Sequence, residues 1–123
     1  MKVLIAGGAG FGGSGLTKEL LKRGHRVAVL DLVAPNHAEC LSDVIDHPNF
    51  QYVWKATFDI QPEDIDGYEV ICAFNAQADV PLGFTSPAYT FYQNTVGLIY
   101  LLEAVNYNKA GLSERISPAI FYD

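Results

Sequence analysis

The feature that most constrains this chain is a glycine-rich stretch, AGGAGFGGSG at positions 6–15, set between an apolar run and an amphipathic segment. The run before it, Lys2–Ala6, is short and nearly continuously apolar, which predicts a strand covered on both faces. After it, leucines at 16, 20 and 21 predict an amphipathic helix that Gly24 ends. Because the strand pattern runs directly into the glycines and the helix pattern directly follows them, no residues are left over for a linker. The stretch is therefore interpreted as the turn of a strand–helix unit.

The alternation of strand and helix patterns continues along the chain and predicts right-handed crossovers between parallel strands. We therefore predict an α/β fold with a doubly wound parallel sheet, strand order 3-2-1-4-5, and helices on both faces. The further predicted elements are strands at Arg26–Leu32, Phe50–Lys55, Glu69–Phe74 and Ala119–Asp123, a loop and helix over Pro35–His47, a short helix from Pro62, and a long helix that Ser86 and Pro87 open and that runs to about Asn108.

Composition limits the classes of partner. The chain has 123 residues, of which 50% are hydrophobic and 18% charged, so a single globular domain over 1–123 is expected. A net charge of −6 without a basic cluster argues against nucleic acid or a membrane surface as a partner. The N-terminal apolar run is too short for a signal peptide or a membrane span. Cys40 and Cys72 lack metal-ligand spacing, so no metal site and a cytoplasmic protein with reduced thiols are predicted.

The glycine turn predicts a diphosphate site. In a strand–helix unit, the free N–H groups and the positive end of the helix dipole lie at the helix N-terminus, and glycines let a ligand come close to the backbone. Asp31 stands 21 residues after Gly10, at the end of the second strand, where a carboxylate can accept hydrogen bonds from ribose hydroxyls. Its neighbour Leu32 is also predicted to bind the cofactor. Since positions 32–37 hold no Lys or Arg for a 2′-phosphate, NAD is favoured over NADP.

The sequence GGAGFGGS resembles the opening motif GGAGFIGS of the extended short-chain dehydrogenases/reductases, in particular their NAD-dependent sugar-nucleotide epimerases and dehydratases. The resemblance selects the register Gly7, Gly10 and Gly13 over the two other overlapping glycine registers, and it places Phe11 and Gly12 at the cofactor. Gly12 departs from the isoleucine of the family. The implied fold is Rossmann-like.

Three later segments carry the resemblance along the chain. Phe58-Asp59-Ile60 matches the position where the family contacts adenine, which implies cofactor roles for Asp59 and Ile60. AFNAQADVP at 73–81 is similar to HLAAQADVP, whose backbone lies along the cofactor, and NTVGLIYLLEA at 94–104 is similar to a helix whose asparagine lies near the nicotinamide. The implied cofactor-binding residues from these two segments are Phe74, Asn75, Ala76, Gln77 and Asn94.

The resemblance also implies catalytic groups that this chain does not contain. The family uses a Ser or Thr after the fifth strand and a Tyr-x-x-x-Lys pair, whereas no tyrosine here is followed four positions later by lysine. No catalytic residue is therefore predicted, and the chain is expected to be truncated at the fifth strand, with apolar exposure near Ile120 and Phe121 and a tendency to self-associate. The expected function is the NAD-binding part of an enzyme acting on a nucleotide sugar. A non-catalytic dinucleotide sensor or regulatory module, and another Rossmann-like enzyme using flavin or NADP, stay open as alternatives.

Overall fold

The computed structural model of the chain describes residues 1–74, 80–111 and 117–120. Its strands are β1 (Lys2–Ala6), β2 (Arg26–Asp31), β3 (Phe50–Trp54), β4 (Val70–Ala73) and β5 (Ser117–Ile120). They form one parallel sheet in the order β3-β2-β1-β4-β5, which confirms the predicted topology. The chain runs from β1 toward β2 but from β4 toward β5 on the other side, and in folds of this kind the two connections leave a crevice beside the carboxyl ends of β1 and β4.

Two hydrophobic clusters cover the two faces of the sheet. In β1, Leu4 and Ala6 belong to one cluster, and Val3 and Ile5 belong to the other. Side chains alternate between the faces of a strand, so a strand buried on both sides must be apolar at every position. This burial explains why the β1 sequence is a continuous apolar run.

Helices connect the strands on both faces. The first begins at Phe11, within the glycine-rich stretch, and so includes its last three glycines. It ends where predicted, since Gly24 adopts φ +86° directly after the terminal turn. The helices are α1 (Phe11–Lys22), α2 (Pro62–Ile65), α3 (Val80–Thr85), α4 (Pro87–Phe91) and α5 (Gly97–Gly111).

The segment between β2 and β3 differs from the prediction. In place of the predicted loop and helix over Pro35–His47, it forms two single-turn 3-10 helices, Pro35–His37 and Glu39–Leu41. The segment is rich in Asn, Asp, Ser and His, which favour turns over helix interiors, while burial of Ala38 and Leu41 against the sheet holds it in place. Burial of these two apolar side chains therefore fixes the segment on the sheet without an α-helix.

The long helix predicted from Ser86 is interrupted. Between α4 and α5 the backbone forms one π-helical turn, Tyr92–Val96, so the helical path has an extra residue at that place. Ser86 occupies the N-cap position of α4 but makes no side-chain capping bond, and Pro87 is the first helical residue as predicted. A π turn is uncommon and often marks a functional position in a helix.

The fifth strand starts earlier than predicted, and positions 121–123 lie outside the described residues, as does the predicted exposure at Phe121. Both cysteines are free; Cys40 is exposed and Cys72 is buried, and burial raises the pKa of the Cys72 thiol. Across the described part of the chain, no helix combines the length and apolarity that a membrane crossing needs.

Candidate functional site

Most of the predicted site residues that the structure describes follow strands of the sheet and so lie at its carboxyl edge. The glycine turn follows β1, Asp31 ends β2, Asp59 follows β3 and Phe74 follows β4. In parallel sheets the carboxyl ends of the strands lie on the same edge, which is where ligands of doubly wound folds bind. The site therefore comes from the ends of separate strands and from no single segment.

The first two glycines are required by the fold of the turn itself. Gly7 adopts φ +77°, a conformation that L side chains rarely take, and its N–H donates to the Leu30 carbonyl at 2.7 Å. Gly8 lies against β2, where a Cβ would come within 2.6 Å of Val29 Cγ2. Val29 is fully buried and β-branched, so it cannot turn away from such an atom. Both positions anchor the turn to β2.

Gly13 and Gly10 are glycines for different reasons. A Cβ on Gly13 would stand 2.6 Å from Gly8 Cα and 2.9 Å from the Gly7 carbonyl oxygen, so only glycine lets α1 pack against the turn. On Gly10 a Cβ would meet only the Gly7 oxygen, at 3.8 Å, which is an ordinary contact. The chain itself therefore has no need of glycine at position 10, and the open space there suits a ligand approaching the backbone.

The N-terminus of α1 supplies donors at this place. The first bond of the helix runs from the Ser14 N–H to the Gly10 carbonyl at 2.9 Å, so the N–H groups of Phe11, Gly12 and Gly13 precede it. The first turn carries no acidic residue that would oppose an anion. The Phe11 side chain, 93% exposed, projects into solvent. These backbone donors and the space at Gly10 fit a diphosphate.

Asp31 ties the glycine turn to the end of β2. One carboxylate oxygen accepts the Ala9 N–H at 2.9 Å, and the other accepts the Val33 N–H at 3.0 Å. A carboxylate has about four acceptor positions, so two remain for further donors such as ribose hydroxyls. Asp31 therefore holds the turn in shape in addition to its predicted role, a second function that its spacing in the sequence did not indicate.

Leu32 and Val33 continue past Asp31 as a half-exposed apolar segment held by two side chains of β3. Tyr52 donates its hydroxyl hydrogen bond to the Val33 carbonyl, and Trp54 Nε1 donates to the Leu32 carbonyl at 3.0 Å. Burial, and then the negative charge of Asp31, raise the pKa of Tyr52 to about 12, so its phenol is a donor at neutral pH. Sequence reasoning did not identify Tyr52 or Trp54, whose only signal was their alternation in an aromatic strand.

The residues predicted to contact adenine separate into exposed and buried ones. Asp59 is exposed at the end of a 3-10 turn, Thr57–Asp59, whereas the side chain of Ile60 is buried in the cluster under α5. Only the backbone of Ile60 is thus available to a ligand. Phe58 contacts Tyr92 edge to face with ring centroids 5.8 Å apart, which joins this turn to the π-helical turn.

Phe74 and Asn94 are the remaining described residues of the predicted site. The Phe74 N–H donates to the Ala6 carbonyl at 2.7 Å, extending the pairing of β4 with β1, and Asn94 lies half-buried inside the π-helical turn. The predicted residues Asn75, Ala76 and Gln77 lie outside the described residues. Among the residues that are described, no group of three His, Cys, Asp or Glu side chains is arranged to hold a metal ion.

Comparison with known proteins relates this geometry to one family. A family model described as "NAD dependent epimerase/dehydratase family" matches residues 3–116. The chain is 36% identical over 110 residues to a UDP-glucose 4-epimerase of Mycolicibacterium smegmatis, covering 85% of this chain and 34% of that protein. It is 30% identical over 119 residues to UDP-glucuronic acid decarboxylase 1 of Danio rerio, covering 97% of this chain and 26% of that protein.

The fold agrees with solved structures of similar proteins. A UDP-glucose-4-epimerase of Stenotrophomonas maltophila, solved with NAD and a formylated UDP-arabinopyranose, superposes with a TM-score of 0.77 at 27% identity, over 86% of this chain and 33% of that one. The present chain thus spans about a third or less of the length of the relatives it matches.

Proposed function

The chain belongs to the NAD dependent epimerase/dehydratase family, and we propose that it is the NAD-binding part of an enzyme acting on a nucleotide sugar. The observation that carries this proposal is Gly10, where the fold leaves space beside the first N–H groups of α1 and the chain itself has no use for a glycine. The relatives named UDP-glucose 4-epimerase and UDP-glucuronic acid decarboxylase support a nucleotide sugar as the substrate class.

Each part of the crevice receives a role in this proposal. The N–H groups of Phe11, Gly12 and Gly13 donate to the diphosphate, and the free acceptor positions of Asp31 receive the adenosine ribose hydroxyls. Leu32 and Asp59 lie on the adenosine side, and Phe74 and Asn94 lie toward the nicotinamide. When bound, NAD supplies a hydride acceptor for a carbon of the sugar. The residues of this chain bind and orient it.

The proposal is tested by calorimetric titration of the chain with NAD, NADP and FAD. We expect NAD to bind most tightly, and Asp31→Ala to weaken NAD binding by about tenfold or more, because it removes the ribose acceptor and releases the Ala9 N–H that shapes the turn. Asp43→Ala removes an exposed carboxylate elsewhere on the chain and should leave the affinity unchanged. Equal affinities for NAD and NADP would contradict the cofactor assignment.

Catalysis is proposed to need residues beyond these 123, since none of the seven tyrosines is followed four positions later by lysine. The chain is expected to bind NAD without converting a nucleotide sugar. Turnover of UDP-glucose by the isolated chain would refute this division of roles. A non-catalytic binding module would give the same titration. Reading the gene past position 123 separates the two: a Tyr-x-x-x-Lys pair there would support the enzyme, and an immediate stop would support the module.

The outer surface of α4 and α5 supports self-association as part of this proposal. Phe91 is 62%, Ile99 49% and Tyr100 40% exposed, an unusual density of large apolar groups for a solvated helix pair. We expect a second copy of the chain to cover them and Ile99→Lys to shift the sedimentation coefficient toward the monomer. Val33→Lys, at a half-exposed apolar position outside α4 and α5, is the control. A monodisperse monomer at high concentration would contradict the expectation.

A further inference from the structure

We propose that Tyr52 and Trp54 are positioning residues that fix the Leu32–Val33 backbone and thereby set the NAD over NADP preference of the site. The inference rests on the proposed function, because it assigns to β3 the shaping of the adenosine pocket. Side chains of the neighbouring strand β3 donate hydrogen bonds to the backbone of this segment.

Three backbone groups of the segment form hydrogen bonds with side chains. Val33 donates its N–H to Asp31, and the carbonyl groups of Leu32 and Val33 accept from Trp54 and Tyr52. Tyr52 and Trp54 are two residues apart in β3 and so lie on the same face of the strand. The two rings therefore act as a pair of side-chain clamps on consecutive peptide groups.

Tyr52 and Trp54 influence the position of the Asp31 carboxylate through this backbone segment. Trp54 is the register partner of Asp31, and the Lys55 N–H donates to the Asp31 carbonyl at 3.0 Å. The Asp31 carboxylate is then held between the Ala9 and Val33 N–H groups, at 2.9 and 3.0 Å. Since the Val33 end of this bridge is itself fixed by Tyr52, loosening the segment frees the carboxylate to move.

When the Asp31 carboxylate is held in place, its charge discriminates between NAD and NADP. A ribose 2′-hydroxyl can donate to it, whereas a 2′-phosphate would bring a second negative charge to the same place, with no Lys or Arg among positions 32–37 to offset it. Tyr52 adds no compensating charge either, because a phenol is neutral or negative at any pH and never positive. The exclusion of NADP thus depends on how firmly Asp31 is held.

Trp54 also provides a signal. It is the single tryptophan of the chain and is 65% exposed beside the Leu32 carbonyl. Its fluorescence therefore reports on this corner of the site and on no other. Under the proposal, adenosine monophosphate should change the emission, while nicotinamide mononucleotide should not.

The experiment measures NAD and NADP dissociation constants by calorimetry for the unaltered chain, Tyr52→Phe, Trp54→Phe and the double variant. Each single variant keeps an aromatic ring and loses one hydrogen bond, so we expect the NAD affinity to fall about fivefold and the NAD-to-NADP affinity ratio to fall at least about threefold. The NAD-to-NADP affinity ratio should fall further in the double variant than in either single variant. Tyr68→Phe is the control, because it removes a phenolic oxygen from a largely buried tyrosine two residues before β4, at the opposite edge of the sheet.

The outcomes separate the two proposals. If the unaltered chain gives no binding heat with NAD, the proposed function fails. If it binds NAD while both variants keep its NAD-to-NADP ratio, the positioning role of Tyr52 and Trp54 is overturned. A loss of NAD and NADP affinity by equal factors would also overturn it, because a merely structural contribution lowers both. An emission change with nicotinamide mononucleotide, but none with adenosine monophosphate, would place the adenosine elsewhere and count against it as well.

Discussion

Replacing Gly13 with alanine is expected to lower the free energy of unfolding by about 3 kcal/mol, a large part of the stability of a domain of this size. The added Cβ would stand 2.6 Å from Gly8 Cα, 2.9 Å from the Gly7 oxygen and 3.2 Å from the Gly8 carbonyl carbon. All three atoms belong to the backbone, so no side-chain rotation can relieve the contact.

The turn cannot retreat from the new atom because it is held from the other side. Gly8 already lies against the fully buried Val29, and the Gly7 N–H is bonded to Leu30 at 2.7 Å. Helix α1 must therefore move away from the sheet, which opens the contacts of Leu21 with the cluster on that face. This loss outweighs the gain of about 1 kcal/mol that alanine brings over glycine inside a helix.

Urea unfolding followed by circular dichroism measures the effect, with Gly15→Ala as the matched control. Gly15 is in the same helix, and a Cβ there would meet nothing within 4 Å. The control should thus be as stable as the unaltered chain or more stable by up to about 1 kcal/mol. Equal unfolding midpoints for the two variants would show that α1 does not pack on the turn as described.

Gly10→Ala is expected to reduce NAD affinity by more than about tenfold, equivalent to about 1.4 kcal/mol, while leaving the free energy of unfolding nearly unchanged. Its φ of −76° and ψ of 179° are open to any residue, and its nearest neighbour would be 3.8 Å away. Alanine is a poorer N-cap than glycine, but it also restricts the unfolded chain, and these terms are of similar size and opposite sign.

The two alanine variants therefore separate the effect on folding from the effect on binding within three residues of the chain. Gly13→Ala should lower the free energy of unfolding, whereas Gly10→Ala should lower only the affinity for NAD. Gly15→Ala should lower neither and again serves as the control. Unaltered NAD affinity in Gly10→Ala would mean that no ligand approaches the backbone there, and the diphosphate assignment would have to be abandoned.

Local patterns in the sequence determined the order and type of most elements. The apolar run of β1 predicted a strand buried on both faces, and both hydrophobic clusters indeed take alternate residues from it. Gly24 predicted the end of α1, because a helix end often needs a positive φ. Asp31 was placed at the end of β2, and its carboxylate lies at the glycine turn. Such features depend on periodicity or on a residue's own backbone, which a sequence displays directly.

Only the tertiary structure decided which glycines serve the fold and which one leaves room for a ligand. Gly8 was omitted from the chosen register, yet its contact with Val29, 21 residues later, requires it. The clamps of Tyr52 and Trp54 likewise join residues 19 and 22 positions apart. Contacts of this kind arise when strands are brought side by side, so no local pattern encodes them. The sequence thus determined the strand–turn–helix unit and its acidic partner, and packing of that unit on β2 and β3 decided the shape of the site.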